Sequence, residues 1–285
     1  MSPGIGSALG AMLFFGLGDL IYKRGAAAGA QPHHFLMVQS WVFTPLVVLY
    51  AVLTGSLRFV AGSLWGAFAG LFILIGFYNF AHSLKSGSIS INAPVFRLSF
   101  VLTAALAVLL LGEPITPSKL AGIALGLAAV WLLLRAPAPK DTVDKSGSRA
   151  SLVRVLIATV SVGVGNVLYT FGLRAGATPA SLIVAQAAVV VTLTTVFAGA
   201  MDRRIRPSAA ALRHAPRAAV VLVLAFAFMV ESMARAQASV VVPIAQMGFV
   251  VTALLGFLFL REPFTARKGL GIAAALAALA SLAHG

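Results

Sequence analysis

Long apolar runs follow one another along this chain with few polar residues between them. The runs are rich in Ala and Leu and lack strict alternation of apolar and polar positions, which favours helices. Each run approaches the roughly 20 residues that a helix needs to cross a hydrocarbon core of about 30 Å. The pattern predicts ten membrane-spanning helices, numbered here as spans 1 to 10, at residues 4–23, 34–54, 61–84, 88–111, 116–135, 152–174, 180–200, 215–235, 239–260 and 265–283.

The two halves of the chain resemble each other. Leu111-Gly-Glu-Pro-Ile-Thr-Pro-Ser-Lys119 returns as Leu260-Arg-Glu-Pro-Phe-Thr-Ala-Arg-Lys268, at an offset of 149. Gly16-Leu-Gly-Asp-Leu-Ile-Tyr22 returns as Gly163-Val-Gly-Asn-Val-Leu-Tyr169, at an offset of 147. Each half carries five spans, and an odd number makes the halves enter the membrane in opposite directions.

The fold class that follows is an all-α polytopic membrane protein with ten transmembrane helices in two inverted five-helix repeats. The first repeat covers residues 1–135 and the second covers residues 152–285. A polar linker rich in Pro and Ser, residues 136–151, joins them. Inverted repeats are typical of transporters that bind substrate near the bilayer midplane, between the halves.

Composition agrees with a membrane protein, since 60% of the residues are hydrophobic, 10% are charged and the mean hydropathy is +1.00. Lys and Arg outnumber Asp and Glu by 21 to 7. This excess does not predict nucleic-acid binding, because the basic residues sit mainly in short segments between spans. Sixteen lie on the side of the linker and four on the other side. The positive-inside rule therefore predicts a cytoplasmic linker and periplasmic termini.

Several kinds of chemistry find no support in the sequence. The chain has no cysteine, which excludes disulfides, thiolate metal sites and a cysteine nucleophile. It contains no His-Glu-x-x-His, Gly-Lys-Ser/Thr or Gly-x-Ser-x-Gly motif. We therefore expect no enzyme, no cofactor and no metal. The first residues lack the basic start and cleavage site of a signal peptide, so span 1 is expected to be retained.

Arg97 is the one basic residue predicted deep inside a span. It lies nine residues into span 4, about 13 Å from the cytoplasmic end at 1.5 Å per residue. An Arg at this depth costs on the order of 2.5–3.5 kcal/mol on insertion scales, so it is expected to have a partner. Its repeat counterpart is Gln246. We interpret the pair as the centre of a substrate site; the alternative is an Arg that ties helices together.

Pro94 and Pro243 lie one turn from Arg97 and Gln246 on the same helix faces. Proline removes a helix hydrogen bond and frees a carbonyl group. The prolines therefore predict helix breaks beside the site, and a packing kink is an equally good explanation.

Asp19 and Glu231 are the only acidic residues within predicted spans. The repeat relates Asp19 to Asn166 and Glu231 to His82. Inversion places Asp19 and His82 toward the cytoplasmic mouth, and Asn166 and Glu231 toward the outer one. These residues predict gating or proton-responsive groups on either side of Arg97; the alternative is that they reach interfacial water.

Span 3 presents four polar side chains on one face, and Tyr169 in span 6 adds a second phenol. Aromatic and hydroxyl-bearing walls suit an amphipathic organic solute. Spans 5 and 10 are rich in Gly and Ala and are predicted to be scaffold helices that pack closely. The candidate substrate-binding residues are Arg97, Gln246, Tyr78, Asn79, His82, Ser83 and Tyr169.

Ten spans in two related halves, each with Glu-Pro-x-Thr-x-x-Lys before a Gly/Ala-rich last helix, resemble the drug/metabolite transporter superfamily and its EamA-type exporters. The chain looks most like the YddG-type exporters of aromatic and other amino acids in bacterial inner membranes. This resemblance implies an alternating-access exporter with a cavity lined by spans 1, 3, 4, 6, 8 and 9. It also implies that a substrate carboxylate meets Arg97. The expected partners are a small-molecule substrate and the lipid bilayer.

Three questions stay open at this point. Members of the superfamily also carry drugs, sugars and nucleotide-linked solutes, and a channel-like facilitator is an alternative to a carrier. The oligomeric state is not predicted.

Glu113 and Glu262 in the paired Glu-Pro stretches are expected to cap the helix that follows, or to pair with the nearby Lys.

Overall fold

The computed structural model of the protein describes residues 2–86, 92, 95–134, 145–203, 205–260 and 265–284. Every regular element in this part of the chain is helical, which confirms the all-α prediction. A short helical turn, Ala61–Ser63, precedes α3. The main helices are α1 Pro3–Ala27, α2 Pro32–Leu53, α3 Leu64–Ser86, α4 Ser99–Leu111, α5 Pro117–Leu134, α6 Lys145–Arg174, α7 Pro179–Asp202, α8 Ala209–Arg235, α9 Ala238–Gln246, α10 Gly248–Leu260 and α11 Ala266–Ala283.

Each of the ten predicted spans overlaps at least one of these helices. Seven helices in the described residues are long and apolar enough to cross a membrane. The remaining apolar segments, Val95–Leu111, Pro117–Leu132 and Ala238–Thr252, are shorter. The chain is thus a multi-pass membrane protein, and the shorter segments include the two spans that carry Arg97 and Gln246.

Proline and a small hydroxyl residue start several helices. Ser2 Oγ accepts from Ile5 N at 3.4 Å ahead of α1, and Thr178 Oγ1 accepts from Ser181 N at 3.2 Å ahead of α7. Proline takes the first helical position in both, where its missing N–H costs nothing. The turn that joins α1 to α2 contains Gly29 at φ 78°, and the turn from α6 to α7 contains the repeat-related Gly176 at φ 84°.

Each helix pair that joins the two halves has a counterpart made by the repeat-related helices. The α1 helix packs on α8, and in the same way α6 packs on α3. The helices α2 and α7 pack on each other, as do α4 and α9. The Gly- and Ala-rich α5 packs on α11, where a Cβ on Gly122 would lie 2.5 Å from Leu282 Cγ.

Spans 4 and 9 are interrupted at matching positions. One turn breaks span 9 at Met247, between α9 and α10, and another lies at Leu98, immediately before α4. Each break is tightened by two successive i to i+3 backbone hydrogen bonds. The four bonds are Leu98 N to Val95 O at 3.0 Å, Val101 N to Leu98 O at 3.0 Å, Met247 N to Ile244 O at 3.1 Å and Val250 N to Met247 O at 2.9 Å.

Glu113 caps a helix of the other half. Its two carboxylate oxygens accept from Ala238 N and Ser239 N, each at 2.9 Å, at the start of α9. Glu113 thus caps α9 and not the helix that follows it, and its charge also acts on the nearby Lys119, the alternative that the sequence left open. Lys119 contributes to the same corner by donating to Pro114 O at 2.8 Å. A carboxylate at the start of a helix accepts hydrogen bonds from the first backbone N–H groups, which have no acceptor within the helix.

Glu262 and Pro263, in the second copy of the Glu-Pro stretch, lie outside the described residues. Pro94 and most of the linker also lie outside them.

Candidate functional site

Arg97 lies in the protein interior, next to the break in span 4, with 3% of its surface exposed. Its Nε lies 3.2 Å from Asp19 Oδ2, and its Nη2 donates to Asp19 Oδ1. Its Nη1 donates to Gln246 Oε1 at 2.7 Å. The guanidinium therefore joins α1 to the broken spans of both halves. Two parallel bonds to one carboxylate are the arrangement in which Arg recognises carboxylates most strongly.

Aromatic rings surround this ion pair. The Cζ atom of Arg97 lies 5.3 Å from the centroid of Phe15 and 5.5 Å from that of Phe96. Phe96 in turn stacks on Phe80 at 4.2 Å and meets Phe77 edge-on at 5.8 Å. A guanidinium over aromatic faces gains cation–π attraction when both are desolvated. The site therefore combines one anion-binding fork with large apolar surfaces.

Asp19 lies beside Arg97 and not apart from it toward the cytoplasmic mouth, where the sequence placed it. The reason is the length of α1, which continues to Ala27 and not only to about residue 23. Asp19 is therefore eight residues, or about 12 Å, from the end of its helix.

Gln246 is the last residue of α9, and its amide oxygen reaches Arg97. Pro243 lies inside α9, one turn before it. The interruption falls at Met247, beyond the proline by one turn. Because the helix ends there, the Gln246 side chain extends from the end of α9 to the guanidinium of Arg97.

The polar face of α3 does not converge on Arg97. The Tyr78 ring packs against Phe197 of α7 at 5.2 Å and against His82 at 6.0 Å. Asn79 Nδ2 donates to Ile75 O at 2.9 Å, and its Oδ1 accepts from Arg154 at 3.4 Å. In the part of the chain that the structure describes, no hydrogen bond or ring contact joins Tyr78, Asn79 or His82 to Arg97.

Tyr78 and Asn79 instead border an apolar groove of about 470 Å³ between α2, α3 and α7. Phe197 and Leu193 line the opposite wall of this groove. The predicted central site thus separates into two regions, one around Arg97 and one at this groove.

Ser83 is fully buried and holds the end of α3 in place. Its hydroxyl donates to Phe80 O at 2.8 Å, and its carbonyl accepts from Asn92 and Ser151, each at 3.0 Å. None of these three bonds involves Arg97.

Tyr169 bonds a glutamine that the sequence did not single out as its partner. Its hydroxyl donates to Gln186 Oε1, and the repeat-related Tyr22 donates to Gln39 Oε1 at 2.5 Å. Gln39 and Gln186 both line a small cavity of about 30 Å³ between α2, α3, α7 and α8. That volume admits one or two water molecules but no organic solute.

Asn166 and Glu231 make contacts of different kinds. Asn166 is buried and donates to Thr103 Oγ1 at 3.2 Å, beside the close contact of α4 with α6. Glu231 pairs with Arg235 on its own helix at 2.7 Å, near the end of α8. The Glu231 side chain is 30% exposed. Exposed pairs of this kind contribute little to stability.

The EamA-like transporter family model matches this chain twice, over residues 2–135 and 149–283. No curated protein matches the sequence significantly. A solved protein whose title reads only "Crystal structure of protein" has the same fold, with a TM-score of 0.77 and 17% sequence identity. The likeness covers 98% of this chain and 95% of that one.

Proposed function

Since this chain belongs to the EamA-like transporter family, and is therefore a membrane transporter, we propose that it exports amino acids or similar small metabolites by alternating access. Arg97 is the group that binds the substrate carboxylate. The observation that carries this proposal is the bidentate contact of buried Arg97 with Asp19, in which the protein's own carboxylate occupies the fork. A substrate carboxylate has the same shape and charge, so it can replace Asp19 there.

Charge balance links substrate binding to Asp19. A buried guanidinium requires an anion in each state, because an unpaired charge in the interior is strongly unfavourable. When the substrate supplies that anion, Asp19 becomes the unpaired group. The α-ammonium group of an amino acid can pair with Asp19 directly, whereas for a carboxylate substrate without a cation, protonation of Asp19 removes its charge and couples substrate binding to uptake of one proton. This step gives Asp19 the proton-responsive role in the centre of the protein.

The rings around Arg97 account for an apolar or aromatic substrate side chain. Phe15 and Phe96 flank the guanidinium, and Phe77 continues the apolar surface toward the small cavity at Gln39 and Gln186. Aromatic walls bury apolar groups without demanding one particular shape. Several side chains are therefore compatible with one carboxylate-binding fork.

The alternation of access follows from the two related halves. Two matches to one family model, matching helix breaks and a packing pattern that survives exchange of the halves all support an inverted repeat. Residues 1–135 and 152–285 form the two repeats, and both termini lie in the periplasm of a bacterial inner membrane. The charge asymmetry of the loops supports this orientation.

The groove at Tyr78 and Asn79 favours a second candidate substrate class. Its walls are apolar, and it opens between helices. Val196, in its lining, is 63% exposed. A lipid-soluble drug could enter the protein there without passing through water.

Proteoliposome counterflow tests the proposed function. Vesicles loaded with unlabelled phenylalanine are diluted into labelled phenylalanine, and the panel is repeated with other amino acids and with a lipid-soluble cationic dye. Saturable accumulation of an amino acid supports the carrier, and accumulation of the dye alone supports the drug exporter. Flux that is linear in concentration without counterflow identifies a channel-like facilitator. In the same assay, wild-type rates in both His82→Ala and Glu231→Gln remove these residues as gates.

A further inference from the structure

Three metal-ligating side chains meet where α2 begins and α7 ends. His33 Nε2 lies 3.1 Å from Asp202 Oδ2, and His34 Nε2 lies 2.5 Å from the same oxygen. The three ligand atoms lie within 4.8 Å of one another. The described residues contain no other group of three His, Cys, Asp or Glu side chains that could hold a metal ion. His33 and Asp202 are 169 residues apart in sequence, so only the fold brings them together.

With all three ligand atoms within 4.8 Å of one another, the spacing allows one ion once the side chains adjust. Zinc binds imidazole nitrogen and carboxylate oxygen at about 2.0–2.2 Å, which places neighbouring ligands about 3.4 Å apart in a tetrahedron. The His33 to Asp202 distance is close to that value. The His34 to Asp202 distance must lengthen by about 1 Å. The Asp202 side chain is 31% exposed, so it has room to turn.

Simple packing of α2 against α7 does not require these side chains. At the opposite end of the same helix pair, Thr178 Oγ1, at the N-cap of α7, donates to Ser56 O at 2.6 Å just beyond α2, so a hydroxyl bond joins the two helix ends there. The repeat counterparts of His33, His34 and Asp202 are Ala180, Ser181 and Gly55. The metal-ligating set is therefore present at one end of the pair only, although the packing recurs.

The neighbouring backbone and charges leave the Asp202 carboxylate partly exposed at the end of α7. Arg203, directly after Asp202, has a left-handed backbone at φ 53° and ends α7 there. Among the described residues it is the one non-glycine residue with positive φ. The nearest cation on α3, Lys85, donates to Gln31, just before α2. His34 Nδ1 is buried without a hydrogen-bond partner, so the ring's polar contact is made at Nε2, the atom at Asp202.

We propose that His33, His34 and Asp202 bind one divalent transition-metal ion of the class that prefers imidazole, with Zn²⁺ as its representative. Two imidazoles and one carboxylate suit zinc, copper or nickel, whereas Mg²⁺ and Ca²⁺ prefer oxygen ligands throughout. Three protein ligands leave one coordination position for water. A bound ion ties the start of α2 to the end of α7 and thereby fastens the first half of the chain to the second.

Zinc titration of the full-length protein in detergent tests this site. The protein is purified with a tag that contains no histidine, and Zn²⁺ is distributed between the protein and a chromophoric chelator. Wild type is expected to bind one Zn²⁺ per chain, and excess Mg²⁺ is expected not to compete. Asp202→Asn keeps an oxygen that accepts from the rings but loses the charge, and His34→Gln removes one ligand. Each should weaken zinc binding by at least about tenfold.

His284→Gln is the matched control, because this histidine bonds Ala280 O on its own helix and lies far along the chain from the cluster. Its zinc affinity should equal that of wild type. A zinc-dependent rise in melting temperature that is present in wild type and lost in Asp202→Asn gives a second readout. The site is refuted if wild type shows no saturable one-site binding, or if Asp202→Asn and His34→Gln bind zinc as tightly as wild type. Neither readout requires transport, so this result is independent of the proposed function.

Discussion

The guanidinium of Arg97 and the carboxylate of Asp19 face each other in the interior of the protein, with Arg97 Nε 3.2 Å from Asp19 Oδ2. Arg97 belongs to the broken span 4, and Asp19 belongs to α1, which packs on α9 and α10 of the other half. The pair therefore lies where the two halves meet. Any anion that enters the fork must compete with Asp19, and under the proposed function this competition sets the affinity for substrate.

Asp19→Asn leaves the Arg97 charge buried without its anion. Loss of one partner of a buried pair costs about 3–5 kcal/mol, so the melting temperature in detergent should fall clearly below that of wild type. The double variant Asp19→Asn with Arg97→Gln removes both charges and should regain part of the loss. Unchanged stability in Asp19→Asn, or a double variant that is as unstable as the sum of its single changes, would contradict the coupling.

Gly16→Ala tests the close approach of α1 to α10. A Cβ at Gly16 would lie 2.5 Å from Gly248 O, a backbone atom that cannot turn aside, so the helices must separate and the protein should lose stability. Gly6→Ala on the same helix is the matched control, because its Cβ would meet nothing within 4 Å. In a helix interior this change should raise stability by about 0.5–1 kcal/mol. Thermal unfolding of the two variants should therefore shift in opposite directions, and a shift of the same sign in both would show that Gly16 is not a contact point.

Glu113→Ala tests whether the first half holds the start of α9. The substitution removes the acceptor for Ala238 N and Ser239 N and should cost about 0.5–2 kcal/mol, the usual effect of losing a helix cap. Since α9 carries Gln246 at its other end, counterflow should also weaken. Glu231→Ala removes a partly exposed carboxylate that pairs with Arg235 on its own helix, and should change the melting temperature far less. Equal losses of stability in the two variants would argue against the cap.

Sequence reasoning located the apolar helices and singled out Arg97 as an interior residue, but it did not identify Asp19 as the partner of Arg97. The length of an apolar run indicates a membrane-spanning helix, because every such helix must cross the same hydrocarbon layer. An Arg in that layer stands out for the same reason. The partner Asp19 was misplaced because the end of α1 was set four residues too early, and helix ends carry a weak signal.

Contacts between distant segments left no local signature. Glu113 was expected to act on the next helix, since nothing in the Glu-Pro stretch indicates that α9 begins beside it. The polar residues Tyr78 and Asn79 share a helix face, but the sequence does not show that this face meets α7. The cluster of His33, His34 and Asp202 was not predicted, because Asp202 is 169 residues from His33 along the chain and only the fold brings them together.

The most direct test of the central claim is competition for counterflow by a substrate analogue that lacks the carboxylate. Labelled phenylalanine is exchanged in vesicles that contain wild type, Arg97→Gln, or Arg97→Gln with Asp19→Asn, which keeps the interior neutral. We predict that unlabelled phenylalanine competes in wild type, that phenylalaninamide does not, and that both variants lose apparent affinity by at least about thirtyfold. Equal competition by phenylalaninamide in wild type, or wild-type counterflow in the neutral double variant, would contradict the assignment of Arg97 as the carboxylate-binding group.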